Sequence, residues 1–463
     1  MNLRYSYWKR QSNNTNGAVC YSAVLYCLFE YGVVKFHISI QKEEILMAWL
    51  QKLHHPEYYV KTFLKWLILG TVIGILGGLL GAGFHHALHF FTHLRSGNNW
   101  LIFLLPLGGV LSVGIYRIFG LRNNRGTNEI IDAILDGKPV SPLVAPVIFL
   151  ASSITHLFGG SAGREGAALQ LGGSVASLLG KMLKLQEKDR TVLIMSGMSA
   201  VFAGLFGTPL TATIFCMEFE SVGTLFTPAL LPGYLAAFVA SRVSAALGVH
   251  AEIFILENAA ALDFANVGGF AVLAVLVSLL GIVMCKVFHE AEHLAAHYFK
   301  NPFVRIAVGG VLIAAMTLLV GAHRFNGAGM DMALEAVDGK TDWYNFALKM
   351  LFTAVTLAAG FKGGEIVPTF CVGATFGCLV GGLLELDAGL AAAVGLGGLF
   401  CCATNSPLAS IVLSVEMFGG ANLYLFALVC VICFVLSGHS GLYASQIIQF
   451  AKADELVKGE EKV

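Results

Sequence analysis

Charge is what this sequence has least of. Asp, Glu, Lys and Arg make up 13% of its 463 residues, hydrophobic residues make up 56%, and the mean hydropathy is +0.74. Soluble domains carry about 25% charged residues. A soluble chain of this composition would have to bury more apolar surface than one core can hold. The shortage therefore excludes that class and puts the chain in a membrane. Positive excess is missing too: Lys+Arg and Asp+Glu both number 29. That balance excludes a nucleic-acid partner and leaves the lipid bilayer as the surrounding medium.

A secretory signal is also absent. Residues 18–40 are apolar but interrupted by Glu30, Lys35 and His37, with no small-residue cleavage site, and they make a poor spanning helix. Residues 1–17 are polar and Asn-rich. Met47 then opens a segment that reads as an amphipathic start, with Trp49, Leu50 and Leu53 beside Lys52, Lys61 and Lys65. Residues 1–46 are therefore expected to be a dispensable leader or a mis-assigned start. The membrane domain is expected over 47–450, with a short charged tail at 451–463 and no cytosolic regulatory domain. Lys52, Lys61 and Lys65 place the N-terminus inside.

The ten cysteines lie mostly in apolar runs, as at Cys216, Cys285, Cys371 and Cys430, and read as small packing residues. His85, His86, His89 and His93 have a spacing that could hold a metal on a helix face. No carboxylate or cysteine accompanies them, so a packing or membrane-edge role is the better reading. Neither a metal nor a cofactor is expected.

From Trp66 onward the chain is a series of apolar segments, several shorter than the roughly 20 residues a simple span needs. Others are cut by Gly or Pro, as at Gly207-Thr208-Pro209 and Asn405-Ser406-Pro407. Broken helices of this kind must be buried in protein or line a cavity. The segment Phe206–Glu218 resembles Thr404–Glu416 at an offset of 198, sharing Pro-Leu and the closing Glu. Gly160 and Glu165 match Gly360 and Glu365 at an offset of 200. Shared use of Gly and Pro in helix packing is the plainer explanation. Two near-identical registers favour a duplicated unit, with its site where the two halves meet.

That site has a chemistry. A carboxylate inside a bilayer costs from roughly 2.5 kcal/mol upward, so it persists where it faces a pathway or a polar partner. Glu165 and Glu365 each sit in a Gly-rich break. Such breaks expose amides at the positive end of a helix dipole and attract anions. Four helix starts are expected to converge: after Gly126-Thr127-Asn128, around Gly163 to Ala167, around Gly363 to Val367, and near Tyr443. Neutral amides bind an anion without holding it permanently. Glu165 can occupy the anion's place when charged and leave it when protonated. A salt bridge to Arg164 is the structural alternative, but adjacent helical residues do not face each other. Glu365 can carry a proton from the other side, or alternatively cap its own helix. Glu218 and Glu416, repeated at the ends of two helices, suggest a shared structural task such as bonding to a backbone break.

Taken together, these residues resemble the CLC family of chloride channels and proton-coupled anion antiporters. Gly163-Arg164-Glu165-Gly166 is similar to the family's gating-glutamate motif, with Ala167 where Pro is usual. Gly363-Gly364-Glu365-Ile366-Val367-Pro368 is similar to its second-half motif, and Tyr443 to its pore tyrosine. The resemblance covers about 60–450 and is strongest to the bacterial fluoride/proton antiporter branch. It implies an all-α polytopic fold of two inverted repeats with broken and re-entrant helices, in a homodimer with one pathway per subunit. It assigns gating and proton transfer to Glu165 and Glu365. The anion would be held by Gly126, Thr127, Asn128, Gly163, Arg164, Gly166, Ala167, Gly364, Ile366, Val367 and Tyr443. Phe219 stands where chloride/proton exchangers carry a second, proton-relaying glutamate. Thr127 and Val367 also depart from the branch's usual residues.

The expected function is halide transport, as fluoride export in exchange for protons across the bacterial cytoplasmic membrane. A chloride channel or chloride/proton antiporter is the alternative on the same fold. A membrane-embedded enzyme would need a nucleophile or metal constellation near Glu165, and the sequence has none there.

Overall fold

The structure is a computed structural model that describes residues 56–254, 256, 260, 261, 263–450 and 452. The leader at 1–46, the start at Met47 and nearly all of the 451–463 tail lie outside the described residues. Residues 66–463 form one unit. Of residues 1–65, the described part is the beginning of the first helix, where Lys61 and Glu57 form an exposed ion pair at 4.0 Å.

Among the described residues the chain forms sixteen α-helices, and they fall into two sets of eight. The first set is α1 (Pro56–Ser96), α2 (Leu105–Ile118), α3 (Thr127–Leu135), α4 (Val144–Phe158), α5 (Glu165–Met182), α6 (Glu187–Phe206), α7 (Pro209–Glu218) and α8 (Leu230–Ala246). The second set is α9 (Phe264–Tyr298), α10 (Pro302–Val320), α11 (Met330–Val337), α12 (Asn345–Ala359), α13 (Ile366–Leu383), α14 (Ala388–Thr404), α15 (Pro407–Phe418) and α16 (Leu423–Leu436). Each helix has a counterpart eight places on. α4 and α12 both have 15 residues, and α5 and α13 both have 18. These are the two inverted repeats of a polytopic membrane fold.

Among the described residues, seven helical stretches are long and apolar enough to cross a bilayer. The short ones are not: α3, at nine residues, is about 14 Å long at 1.5 Å per residue. It sits inside 121–140, which reads as a polar connection in the sequence. Short helices survive at membrane depth because other helices surround them. α6 is buried from Thr191 through Phe206 and α14 from Leu390 through Thr404. Helices buried all round need no amphipathic stripe, and these two show none. They pack on α5 and α13 through glycine: a Cβ on Gly373 would lie 2.5 Å from the Gly395 carbonyl oxygen. The α5–α6 pair repeats the contact at Gly172 and Gly197. On the outside, Leu319, Ile118 and Leu383 are 86%, 82% and 75% exposed, an apolar surface suited to lipid tails.

The breaks fall where the sequence places them. Gly159 (φ +90°) ends α4 and Gly360 (φ +99°) ends α12, both left-handed. Gly207 and Asn405 end α6 and α14 in the same conformation, and Pro209 and Pro407 start the next helices. One expectation fails. No helix begins near Tyr443, where residues 440–446 are turn and irregular backbone. This segment is held instead by a two-residue parallel pairing of β1 (Ser221–Val222) with β2 (Ile447–Ile448). Three helix starts and a turn, rather than four helix starts, therefore surround the site.

Candidate functional site

The two Gly-rich breaks bond to each other. The Gly163 N–H donates to the Gly364 carbonyl at 2.6 Å, and the Gly364 N–H donates to the Gly163 carbonyl at 2.8 Å. This antiparallel bridge brings the N-termini of α5 and α13 together, one from each repeat. A Cβ on Gly364 would sit 2.7 Å from the Gly166 nitrogen and 2.8 Å from Glu165 Oε2, so only glycine permits the approach. The first amides of α5 and α13, from Gly166, Ala167, Ile366 and Val367, have no acceptor within their helices. They lie at the positive ends of two helix dipoles.

Glu165 is the first residue of α5 and is fully buried. Its Oε2 accepts from the Val367 N–H at 3.2 Å, across the repeat boundary. Its Oε1 has no partner. Arg164 does not pair with it. The guanidinium forms an ion pair with Glu252, bonds His85 Nδ1 at 3.0 Å and lies 5.2 Å from the Phe206 ring centroid. Arg164 thus contributes backbone to the break, while its side chain lines a cavity of about 390 Å³ that reaches Val367 and includes Arg95, Arg324 and Asp331.

Glu365 occupies the N-cap position of α13 but makes no capping bond with its side chain. It is partly exposed, unlike Glu165. Tyr443 is 2% exposed and neighbours both carboxylates; its hydroxyl meets the Glu365 side chain without reaching full hydrogen-bond geometry. Its ring meets Phe219 edge-on at 5.8 Å. Phe219 is itself fully buried, an aromatic wall at the position where the resemblance places a proton relay.

Gly126 opens α3 with φ +66°. Thr127 follows, buried, with Oγ1 3.1 Å from where a Cβ on Gly166 would stand. The neighbouring Asn128 turns elsewhere, its side-chain oxygen accepting from the Ser445 N–H at 3.0 Å. It ties down the Tyr443 turn. Gln170 escapes a reading of motifs. Its Nε2 donates to the Gly166 carbonyl at 3.0 Å, lies 3.8 Å from a Cβ placed on Gly126, and leaves Oε1 unpartnered. Lys349 escapes it as well. This fully buried lysine donates to Ser161 Oγ at 3.0 Å and to the carbonyls of Phe325 and Gly327 at 3.2 and 2.7 Å. A lone lysine in an apolar segment was the available signal.

The histidine cluster separates. His85 serves Arg164, and His86 Nε2 lies 2.9 Å from the Leu247 carbonyl oxygen. Among the described residues no group of three or more His, Cys, Asp or Glu is placed to hold a metal.

The arrangement has known relatives. Residues 108–438 match the model of the voltage gated chloride channel family. A chloride/fluoride channel protein of Pseudomonas syringae pv. tomato is 34% identical over 396 residues, covering 84% of this chain and 87% of that one. An H(+)/Cl(-) exchange transporter of Vibrio vulnificus is 24% identical over 461 residues, covering 90% of this chain and 97% of its own. The crystal structure of a CLC-type fluoride/proton antiporter superposes with a TM-score of 0.80 at 32% identity, covering 82% of this chain and 97% of that one. That of a slow cyanobacterial Cl-/H+ antiporter gives 0.70 at 20% identity, over 80% and 94%, and speaks to the fold alone. By its sequence match along most of its length and by its fold, the chain belongs to the CLC family, the voltage gated chloride channels, which are membrane transporters rather than enzymes.

Proposed function

We propose that this chain exchanges fluoride for protons, as a homodimer in the bacterial cytoplasmic membrane with one pathway per subunit. One observation carries the reading: the buried Glu165 carboxylate bonds the Val367 amide with one oxygen and leaves the other unpartnered, between two helix N-termini. In this reading the carboxylate stands where a transported anion would sit. Protonation removes its charge, weakens its hold on the amide and frees the place. Glu365, in the equivalent position of the second repeat, delivers the proton from the other side. The anion is then held by the amides of Gly166, Ala167, Ile366 and Val367 with the Thr127 hydroxyl and the Tyr443 phenol. The backbone of Gly126, Gly163, Arg164 and Gly364 shapes the passage, and Asn128 fixes the Tyr443 turn.

Fluoride is small and strongly hydrated, so its water shell must be replaced by donors at close range. Thr127 and Tyr443 offer two hydroxyls there, and the P. syringae chloride/fluoride channel protein and the fluoride/proton antiporter structure support the same choice. Chloride is the second reading, favoured by Val367, which brings no hydroxyl, and by the chloride/proton exchangers among the relatives. Efflux from proteoliposomes, followed with fluoride- and chloride-selective electrodes, decides between them. Faster fluoride efflux coupled to proton uptake is expected. Equal or faster chloride efflux overturns the fluoride assignment.

A further inference from the structure

A second cavity, of about 350 Å³, lies between the C-terminal end of α2, the connection at 121–124, the start of α10 and the Gly360–Lys362 break. Its charge is one-sided. Arg117, Arg122, Arg305 and Lys362 line it, no acid does, and none of the four makes an ion pair among the described residues. Arg117 rests over Phe303 at 4.5 Å and Lys362 over Tyr116 at 4.7 Å. The nearby carboxylate of Glu129 already accepts from Asn124 Nδ2 at 2.5 Å.

The wall also holds polar atoms with nothing to bond. Ser112 and Tyr116, one turn apart on α2, are 1% and 6% exposed, and both hydroxyls lack a partner. The Arg305 Nε–H is buried and unpartnered as well. Buried polar groups without partners are costly, about 1–3 kcal/mol each, and mark places where a ligand completes the bonding. A halide is far too small to reach all of these groups at once. A tetrahedral oxyanion with several acceptor oxygens suits them, and arginine is matched to phosphate geometry.

The location adds to this. Residues 117–125 carry three arginines and no acid, which places this connection on the cytoplasmic side. Ile118 and Phe119, 82% and 42% exposed, continue the lipid-facing surface to the rim of the cavity. Basic pockets between membrane helices on this side accept anionic head groups.

We propose that this cavity is a binding site for a phosphate group, carried by an anionic lipid headgroup or by a soluble phosphate. The site is independent of which halide the transporter moves. Native mass spectrometry of the full chain, delipidated in detergent, tests it with two probes, phosphatidylglycerol and inorganic phosphate. Wild type binds at least one, and the probe bound more tightly identifies the source. Replacing Arg117 and Arg305 together by Gln removes two charge-assisted contacts and is expected to weaken binding at least tenfold. Tyr116→Phe, which keeps the ring beneath Lys362, gives a smaller loss and guards against a misfolded double variant. Wild type that binds neither probe overturns the proposal. So does a folded double variant that binds both as tightly as wild type. If neither probe binds while the double variant alters fluoride efflux, the cavity is an ion vestibule and the proposal fails.

Discussion

Glu218 and Glu416 each close the N-terminus of the helix that the other one ends. Glu218, the last residue of α7, accepts from the Leu408 and Ala409 amides at the start of α15, at 3.1 and 2.9 Å. Glu416, near the end of α15, accepts from the Leu210 and Thr211 amides at the start of α7, at 3.1 and 2.8 Å. The two breaks that cut the long apolar segments are therefore sealed reciprocally across the repeat boundary. Each carboxylate satisfies two amides that Pro209 or Pro407 leaves at a helix start.

This clamp predicts a stability effect separate from transport chemistry. Glu218→Ala or Glu416→Ala strips two helix-start amides of their acceptor, at about 1–3 kcal/mol for an unmet group as buried as the Ala409 amide and less for the exposed Leu210 amide. Each variant should melt at a lower temperature in detergent, Glu218→Ala by the larger amount, because its amides are the more deeply buried. An unchanged melting temperature in either one would remove the clamp from the stability of the fold.

Glu165→Gln keeps the shape of the side chain and makes it permanently neutral. Proton movement should become uncoupled from anion movement, and anion flux should change or stop, losing its dependence on pH. The check is simultaneous recording of pH and fluoride in proteoliposomes. Normal coupling in this variant contradicts the gating role.

Glu365→Gln should block or uncouple proton exchange while leaving the anion site built, since the Glu165–Val367 bond uses only the backbone of its neighbour. Fluoride binding, measured by calorimetry, should persist within a few fold. Intact proton coupling would take Glu365 out of the pathway.

Gly364→Ala tests the close approach of the two breaks. Its Cβ would stand 2.7 Å from the Gly166 nitrogen and 2.8 Å from Glu165 Oε2, well inside van der Waals contact. Overpacking of this kind costs about 1–3 kcal/mol, and here it would push the helix starts apart. Flux should fall by at least tenfold in a protein that still folds and purifies. Wild-type flux would mean that the Gly163–Gly364 bridge does not set the geometry of the site.

Much of this protein was readable along the chain because its signals are local. A shortage of charge fixes the membrane class without any fold. Gly207-Thr208-Pro209 and Asn405-Ser406-Pro407 break helices by backbone geometry alone, and they do so in the structure. Glu165 and Glu365 stand out because a carboxylate in an apolar run is costly wherever it falls. The Tyr443 segment misled for the same reason. Its glycines allow a helix start but do not compel one, and the pairing of Ser221 with Ile447 decides otherwise. What folding alone decided are partnerships between residues far apart in sequence. Arg164 chose Glu252 over the adjacent Glu165, Lys349 took carbonyls from the turn before α11, and Gln170 came to lie between the first turns of α3 and α5. A hydrogen bond acts over about 3 Å, and only tertiary packing brings such groups that close, so no spacing along the chain encodes them.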